Sequence, residues 1–153
     1  MCRRKKCMRN FLAEFRVLLS YPGNIVILLA RLTVAYGFSI PALMKIQNLE
    51  GTIVWFESIH IPFPVFTAYM VSGLEVIGIV LLILGLFSRI ISLLLGCVML
   101  GAIFFVHFQH GFSTANNGFE IPLYYFIFLM IFATFGPGKY SLDQVLFKRG
   151  HYE

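Results

Sequence analysis

Two formal charges stand inside long runs of apolar residues. Arg31 lies about two turns into a stretch covering residues 25–46, and Glu75 lies near the middle of another covering residues 65–87. An Arg or Asp at the centre of a membrane helix costs about 2.5–3.5 kcal/mol on insertion scales, so such a group normally turns inward and finds a partner. At 1.5 Å per residue their depths differ by about 8 Å, within reach of a long Arg side chain. The sequence therefore predicts an Arg31–Glu75 ion pair. Such a pair would serve either to fix helix register or as a charge relay or ligand anchor. The helical stripe Arg31, Ala35, Phe38, Ala42, Lys45 and the stripe Glu75, Gly78, Leu82, Gly85 set the inward direction. The glycines of the second stripe allow helices to approach closely.

A second polar group is expected where the spans end. Lys45 closes the first stretch, His107 and His110 close the third, and Glu120 opens the fourth, with Tyr124 one turn further on. His107 and His110 are three residues apart, hence neighbours on one helical face. With walls from Phe104, Phe105, Phe108 and Phe112, these groups would make a partly buried slot suited to a quinone ring or another small amphiphile. Interfacial anchoring explains the same residues without any ligand, because polar groups gather at membrane surfaces. Two His and a Glu can hold a metal, but a His pair at this spacing is common by chance and no metal is expected.

The elements that must position these groups follow from composition. Of 153 residues, 59% are hydrophobic and only 12% charged, against about 45–50% and 25% in a soluble domain. That excludes a water-soluble globule, a disordered chain and a nucleic-acid module. The pattern predicts an all-α integral membrane four-helix bundle with crossings at about 25–46, 65–87, 90–110 and 120–135, and Pro41 near the outer end of the first. Residues 47–64, with Trp55 and Phe56, read as a segment at headgroup level. Residues 111–118 read as a loop, and Gly136-Pro137-Gly138 as a stop. Three regions result: a basic tail with an amphipathic interfacial helix (1–23), the bundle (24–138) and a cytoplasmic tail (139–153). The interfacial helix is placed at residues 8–20, where Phe11, Phe15, Leu18 and Leu19 share a face.

The net charge of +5 is concentrated at the ends. With the N-terminus in the cytoplasm, ten of the twelve Lys and Arg residues fall on that side, Lys45 falls opposite, and Arg31 lies within the bilayer. This predicts both termini in the cytoplasm. The opening run is read as uncleaved, because no small-x-small cleavage site follows. The three cysteines, Cys2, Cys7 and Cys97, form no Cys-x-x-Cys, which argues against a thiol oxidase. Cys97 reads as a small apolar residue. No phosphate-binding loop, nucleophile elbow or zinc-protease motif occurs.

In order along the chain stand Arg31-Leu32, Gly37 and Lys45, then Ile61-Pro62-x-Pro64, then Glu75-x-x-Gly78 with Leu82-x-x-Gly85 and Arg89. His107, Gly111-Phe112, Gly118-x-Glu120 and Gly136-Pro137-Gly138-x-Tyr140-Ser141-Leu142-Asp143 complete the set. This order resembles the DoxX family of small bacterial membrane proteins. Ala42 and Ile79 depart from glycines common in that family. The resemblance implies a four-helix fold in the bacterial inner membrane and an association with respiratory-type oxidoreductases. It makes Arg31, Glu75, His107 and Glu120 candidate functional residues, with Lys45 near them. Electron transfer would require a bound quinone or a partner subunit. Three functions remain open: a subunit of a quinone-linked oxidoreductase complex, a membrane chaperone or assembly factor, and a small proton-coupled transporter. The lipid bilayer is the first partner expected, redox subunits and a homodimer the next, and nucleic acid none.

Overall fold

The computed structural model describes residues 23–147, and over them the chain is helical. The expected interfacial helix at 8–20, Cys2, Cys7 and the end of the C-terminal tail lie outside the described residues. In chain order the helices are α1 (Gly23–Gln47), α2 (Leu49–Ser58), α3 (Pro64–Leu84), α4 (Ser88–Ala102), α5 (Glu120–Phe135) and α6 (Leu142–Phe147). A π-helical turn, Ile103–His107, and a 3-10 turn, Phe108–His110, continue α4. Among the described residues three stretches are long and apolar enough to cross a membrane: Gly23–Gln47, Pro64–Leu84 and Ser88–His110. α5 is also apolar but has 16 residues, about 24 Å of rise.

The outer faces carry large apolar side chains such as Leu29, Tyr36, Val80, Leu93 and Ile127, as a lipid-facing surface requires. Lipid tails are as apolar as leucine, so helix association rests on close packing and small residues instead of expulsion of water. Val34, Ala35, Phe38, Leu82, Leu95, Leu129 and Phe132 form the buried centre. Gly78 lets α3 meet α4, since a Cβ there would lie 2.8 Å from Leu95. Gly37 admits the Tyr125 phenol against α1. Pro41 also withholds the usual helical donor from the Gly37 carbonyl. α5 packs mainly on α4, and α1 mainly on α3, while α1 and α5 touch more lightly.

Tight chemistry joins α3 to α4. Gly85 sits at φ +69°, and the Leu86 amide donates to the Leu81 carbonyl at 3.0 Å, a Schellman closure. Phe87 follows in the left-handed region at φ 48°, a costly conformation for an aromatic residue. Asp143, far along the chain, holds this turn. Its carboxylate accepts from the Phe87 amide at 2.9 Å and the Ser88 amide at 3.3 Å, capping α4 where the helix dipole favours a negative charge. Its own amide donates to the Gly85 carbonyl at 3.2 Å.

Two segments read as loop or tail are helical in part. α2 occupies much of 47–64, started by Asn48, whose side chain accepts from the Gly51 amide at 3.0 Å. α6 starts at Ser141-Leu142-Asp143-Gln144, with the Gln144 amide donating to Ser141 Oγ at 3.4 Å, one half of a capping box.

Candidate functional site

Arg31 and Glu75 are both buried, at 0% and 1% exposure, but they do not pair. The Arg31 guanidinium donates to the carbonyls of Pro137 at 2.8 Å and Tyr140 at 3.0 Å. Glu75 instead accepts two hydrogen bonds from Lys45 Nζ, at 2.6 and 2.8 Å. The expected Arg31–Glu75 pair is therefore corrected to Lys45–Glu75, and side-chain direction explains why. Helical side chains lean toward the helix N-terminus. In α1 that carries Arg31 toward the residue 136–140 turn and Lys45 back into the bundle. In α3, which runs the other way, it carries Glu75 toward Lys45. Gly85 lies directly against the Arg31 guanidinium, so Glu75, ten residues earlier on α3, stands about 15 Å away from that level.

Arg31 thus serves the opposite end of the bundle from Glu75. The chain leaves α5 at Gly136 with φ +81° and presents carbonyls that α5 no longer satisfies. The guanidinium fills that need while remaining wholly buried. Together with Asp143 it ties residues 137–143 to the ends of α1, α3 and α4.

Lys45 and Glu75 stand in the wall of a cavity of about 810 Å³. Its floor and sides are apolar, from Phe38, Leu74, Val98, Phe105 and Tyr125 among others, and α2 closes one side with Trp55 and Phe56. His107, Thr114 and Asn117 add polar groups at one end. Lysine has three N–H donors. Two are used on Glu75, so one is left for a ligand. His107 Nδ1 lies 2.7 Å from the Asn117 carbonyl. That oxygen only accepts, which places the proton on Nδ1 and leaves Nε2 of the neutral ring as an acceptor. Donor and acceptor in one apolar chamber suit a ring bearing carbonyl or hydroxyl oxygens.

The other expected members of this slot stand apart from it. His110 is exposed and its Nδ1 bonds the Val106 carbonyl at 3.0 Å. Glu120 is a clasp for the loop 111–119: it accepts from the Thr114 amide at 3.1 Å, from Thr114 Oγ1 at 2.8 Å and from the Tyr124 hydroxyl at 3.1 Å. Neither Glu120 nor Tyr124 lines the cavity. Among the described residues no three His, Cys, Asp or Glu side chains converge as a metal set. The two histidines part because the helix is irregular here, a π-helical turn at Ile103–His107 running into a 3-10 turn at Phe108–His110. The Phe108 amide bonds back to the Ile103 carbonyl, five residues earlier, which turns later side chains away from the simple helical phase. Phe105 reaches the cavity, whereas Phe108 stacks on Phe104 at 6.1 Å and on Phe119 at 6.4 Å.

The loop itself is closely folded. A Cβ on Gly118 would meet the Gly111 carbonyl and lie 2.6 Å from the Phe112 backbone. Thr114, Asn117 and Gly118 roof the cavity from this loop. Trp55, Phe56 and Tyr125 were not singled out from sequence as site residues; the helical cap at Asn48 is the one signal that could have brought α2 over the chamber.

Comparison with known proteins places this architecture. The DoxX family pattern matches residues 26–108. A Bacillus subtilis (strain 168) protein named "Putative oxidoreductase CatD" is 35% identical over 121 residues, 79% of this chain and 87% of the relative. An uncharacterized protein of Haemophilus influenzae is 30% identical over 82% of this chain and 86% of its own length. The "Inner membrane protein YphA" of Escherichia coli (strain K12) is 27% identical over 78% of this chain and 89% of its own. No solved structure matches the chain. With a family match over more than half its length and a bundle of apolar helices, the chain is a membrane protein that belongs to the DoxX family.

Proposed function

We propose that this protein is an inner-membrane subunit of a quinone-linked oxidoreductase assembly, and that it holds a quinone or similar lipophilic ring in the chamber beside Lys45, Glu75 and His107. The observation that carries the reading is an ion pair between buried Glu75 and half-buried Lys45, set in the wall of a large apolar cavity. Its volume of about 810 Å³ falls within the range of about 300–1,000 Å³ usual for small-molecule sites. A bound quinone would supply the two-electron chemistry that the chain's own side chains lack. Lys45 would donate to a ring oxygen, Glu75 would hold the ammonium in place, and His107 Nε2 would accept from a ring hydroxyl. The apolar walls would exclude water from that end. The named oxidoreductase relative favours this reading over an assembly factor or a transporter.

The arrangement of charge supports a topology with both termini in the cytoplasm. Ten Lys and Arg residues fall on one side and Lys45 on the other, the asymmetry that sets orientation. α5 then makes the return crossing, and the Lys45 end of the chamber lies in the outer half of the membrane. Reporter fusions at each terminus and in the loop 111–119 test this, and a loop reporter active in the cytoplasm would reverse it.

The ligand reading is tested by extracting purified protein and assaying for quinone. Wild type should retain it, and Glu75→Gln or His107→Ala should lose most of it while staying folded. Protein that takes up no quinone on titration, by quenching of Trp55, would overturn the assignment.

A further inference from the structure

The chamber is open on one side, and the shape of the opening says what kind of ligand enters. Along α3 the cavity is lined by Thr67, Met70, Val71 and Leu74, and along α4 by Leu94, Cys97, Val98 and Gly101. These are facing stripes at helical spacing. Several of the residues also reach the outer surface: Met70 is 51% exposed and Leu94 44%, and Cys97 is exposed as well. In a membrane that surface is lipid.

The two helices form a wedge. At the turn end they are in contact, where Gly78 sits against Leu95. Toward the other end residues of both helices line the cavity, and a Cβ added at Gly101 would meet nothing within 4 Å. From Gly78 to Thr67 the seam runs about 17 Å at 1.5 Å per residue. Its charged groups stand at the inner wall, with Lys45 on α1 and Glu75 at the junction, and apart from Thr67, whose hydroxyl is bonded to the Pro62 carbonyl, and Cys97 its lining along α3 and α4 is apolar.

We infer that the seam between α3 and α4 is a lateral portal from the bilayer, and that the ligand is a tailed amphiphile whose polar ring sits at Lys45 and Glu75 while its hydrocarbon tail leaves through the seam into the acyl chains. This deepens the ring-binding reading above and rests on it. A tail in the seam contacts Val71, Leu94, Val98 and the face of Gly101. A tail-less ring makes only the inner contacts.

The test uses the full chain in nanodiscs of phosphatidylethanolamine and phosphatidylglycerol. One probe is 2-methyl-1,4-naphthoquinone, and the other is the same ring carrying four isoprene units. Affinity is read from quenching of Trp55, the single tryptophan, and expressed per mole fraction in the membrane. The tailed ring should bind at least tenfold tighter. Gly101→Leu, whose side chain enters open space, should weaken the tailed ring at least tenfold and the tail-less ring less than threefold. A second readout needs no change in the seam. In a Cys2→Ser/Cys7→Ser background, the tailed ring should protect Cys97 from a lipid-dissolved maleimide, and the tail-less ring should not. Equal affinities, with both rings indifferent to Gly101→Leu and neither protecting Cys97, would overturn the portal and leave the ring site standing. Absence of quenching by either probe would overturn both.

Discussion

Separating Lys45 from Glu75 should destabilise the bundle asymmetrically. Glu75 is 1% exposed, and the structure gives its carboxylate two bonds, at 2.6 and 2.8 Å, both from Lys45. Lys45→Met therefore strands a carboxylate in an apolar wall. Removing one partner of a buried ion pair costs about 3–5 kcal/mol, and this site should fall in that range. Glu75→Gln is milder. The amide keeps an oxygen for Lys45, whose side chain is 21% exposed and can turn toward the chamber. Loss of a charged hydrogen bond then costs about 1.5–3 kcal/mol. In the double variant Lys45→Met/Glu75→Gln no charge is buried, and an unsatisfied amide costs about 1–3 kcal/mol. The double should thus be more stable than Lys45→Met alone, with a coupling energy of about 2 kcal/mol or more. Unfolding in mixed micelles by increasing dodecyl sulfate, followed by Trp55 fluorescence and helical circular dichroism, measures all four corners of the cycle. Equal losses in the two single variants, with the double at their sum within about 0.5 kcal/mol, would refute the pairing and its directional logic.

Asp143→Ala should cost about 1–2 kcal/mol, as loss of a helix cap does, and should expose residues 137–147 to limited proteolysis. Arg31→Gln should loosen the same segment, and its effect combined with Asp143→Ala should fall short of the sum, because both side chains hold one strap; full additivity would separate them. Gly118→Ala drives a methyl into the Gly111–Phe112 backbone, so hydrogen exchange across residues 111–119 should rise while α1 stays protected. His110→Ala, at an exposed position outside the chamber, should leave quinone retention unchanged, and a loss equal to that of His107→Ala would require redrawing the site.

The burial of Arg31, Ala35, Phe38 and Ala42 along α1, and of Glu75, Gly78 and Leu82 along α3, was legible from residue spacing. So were the limits of the long apolar stretches, because hydropathy and helical period are local properties that neighbours in sequence already carry. The helix breaker Gly136-Pro137-Gly138 is legible for the same reason. Lys45 and Glu75 are both legible as candidate site residues, but their partnership is not, because partner choice depends on which way antiparallel helices lean their side chains. The π-helical turn at Ile103–His107 and the 3-10 turn at Phe108–His110 leave no readable trace in residue type, and together they separate His107 from His110.

What the sequence by itself determined is a membrane bundle with costly charges turned inward: solvation and periodicity act residue by residue and tolerate no other placement. What only the tertiary structure decided is which charge meets which. Arg31 went to the carbonyls of a turn more than a hundred residues away, Asp143 to the start of α4, and Lys45 to Glu75. Those choices depend on chain ends and turns arriving at the same depth, and depth in a bundle is set by how helices pack rather than by any one of them.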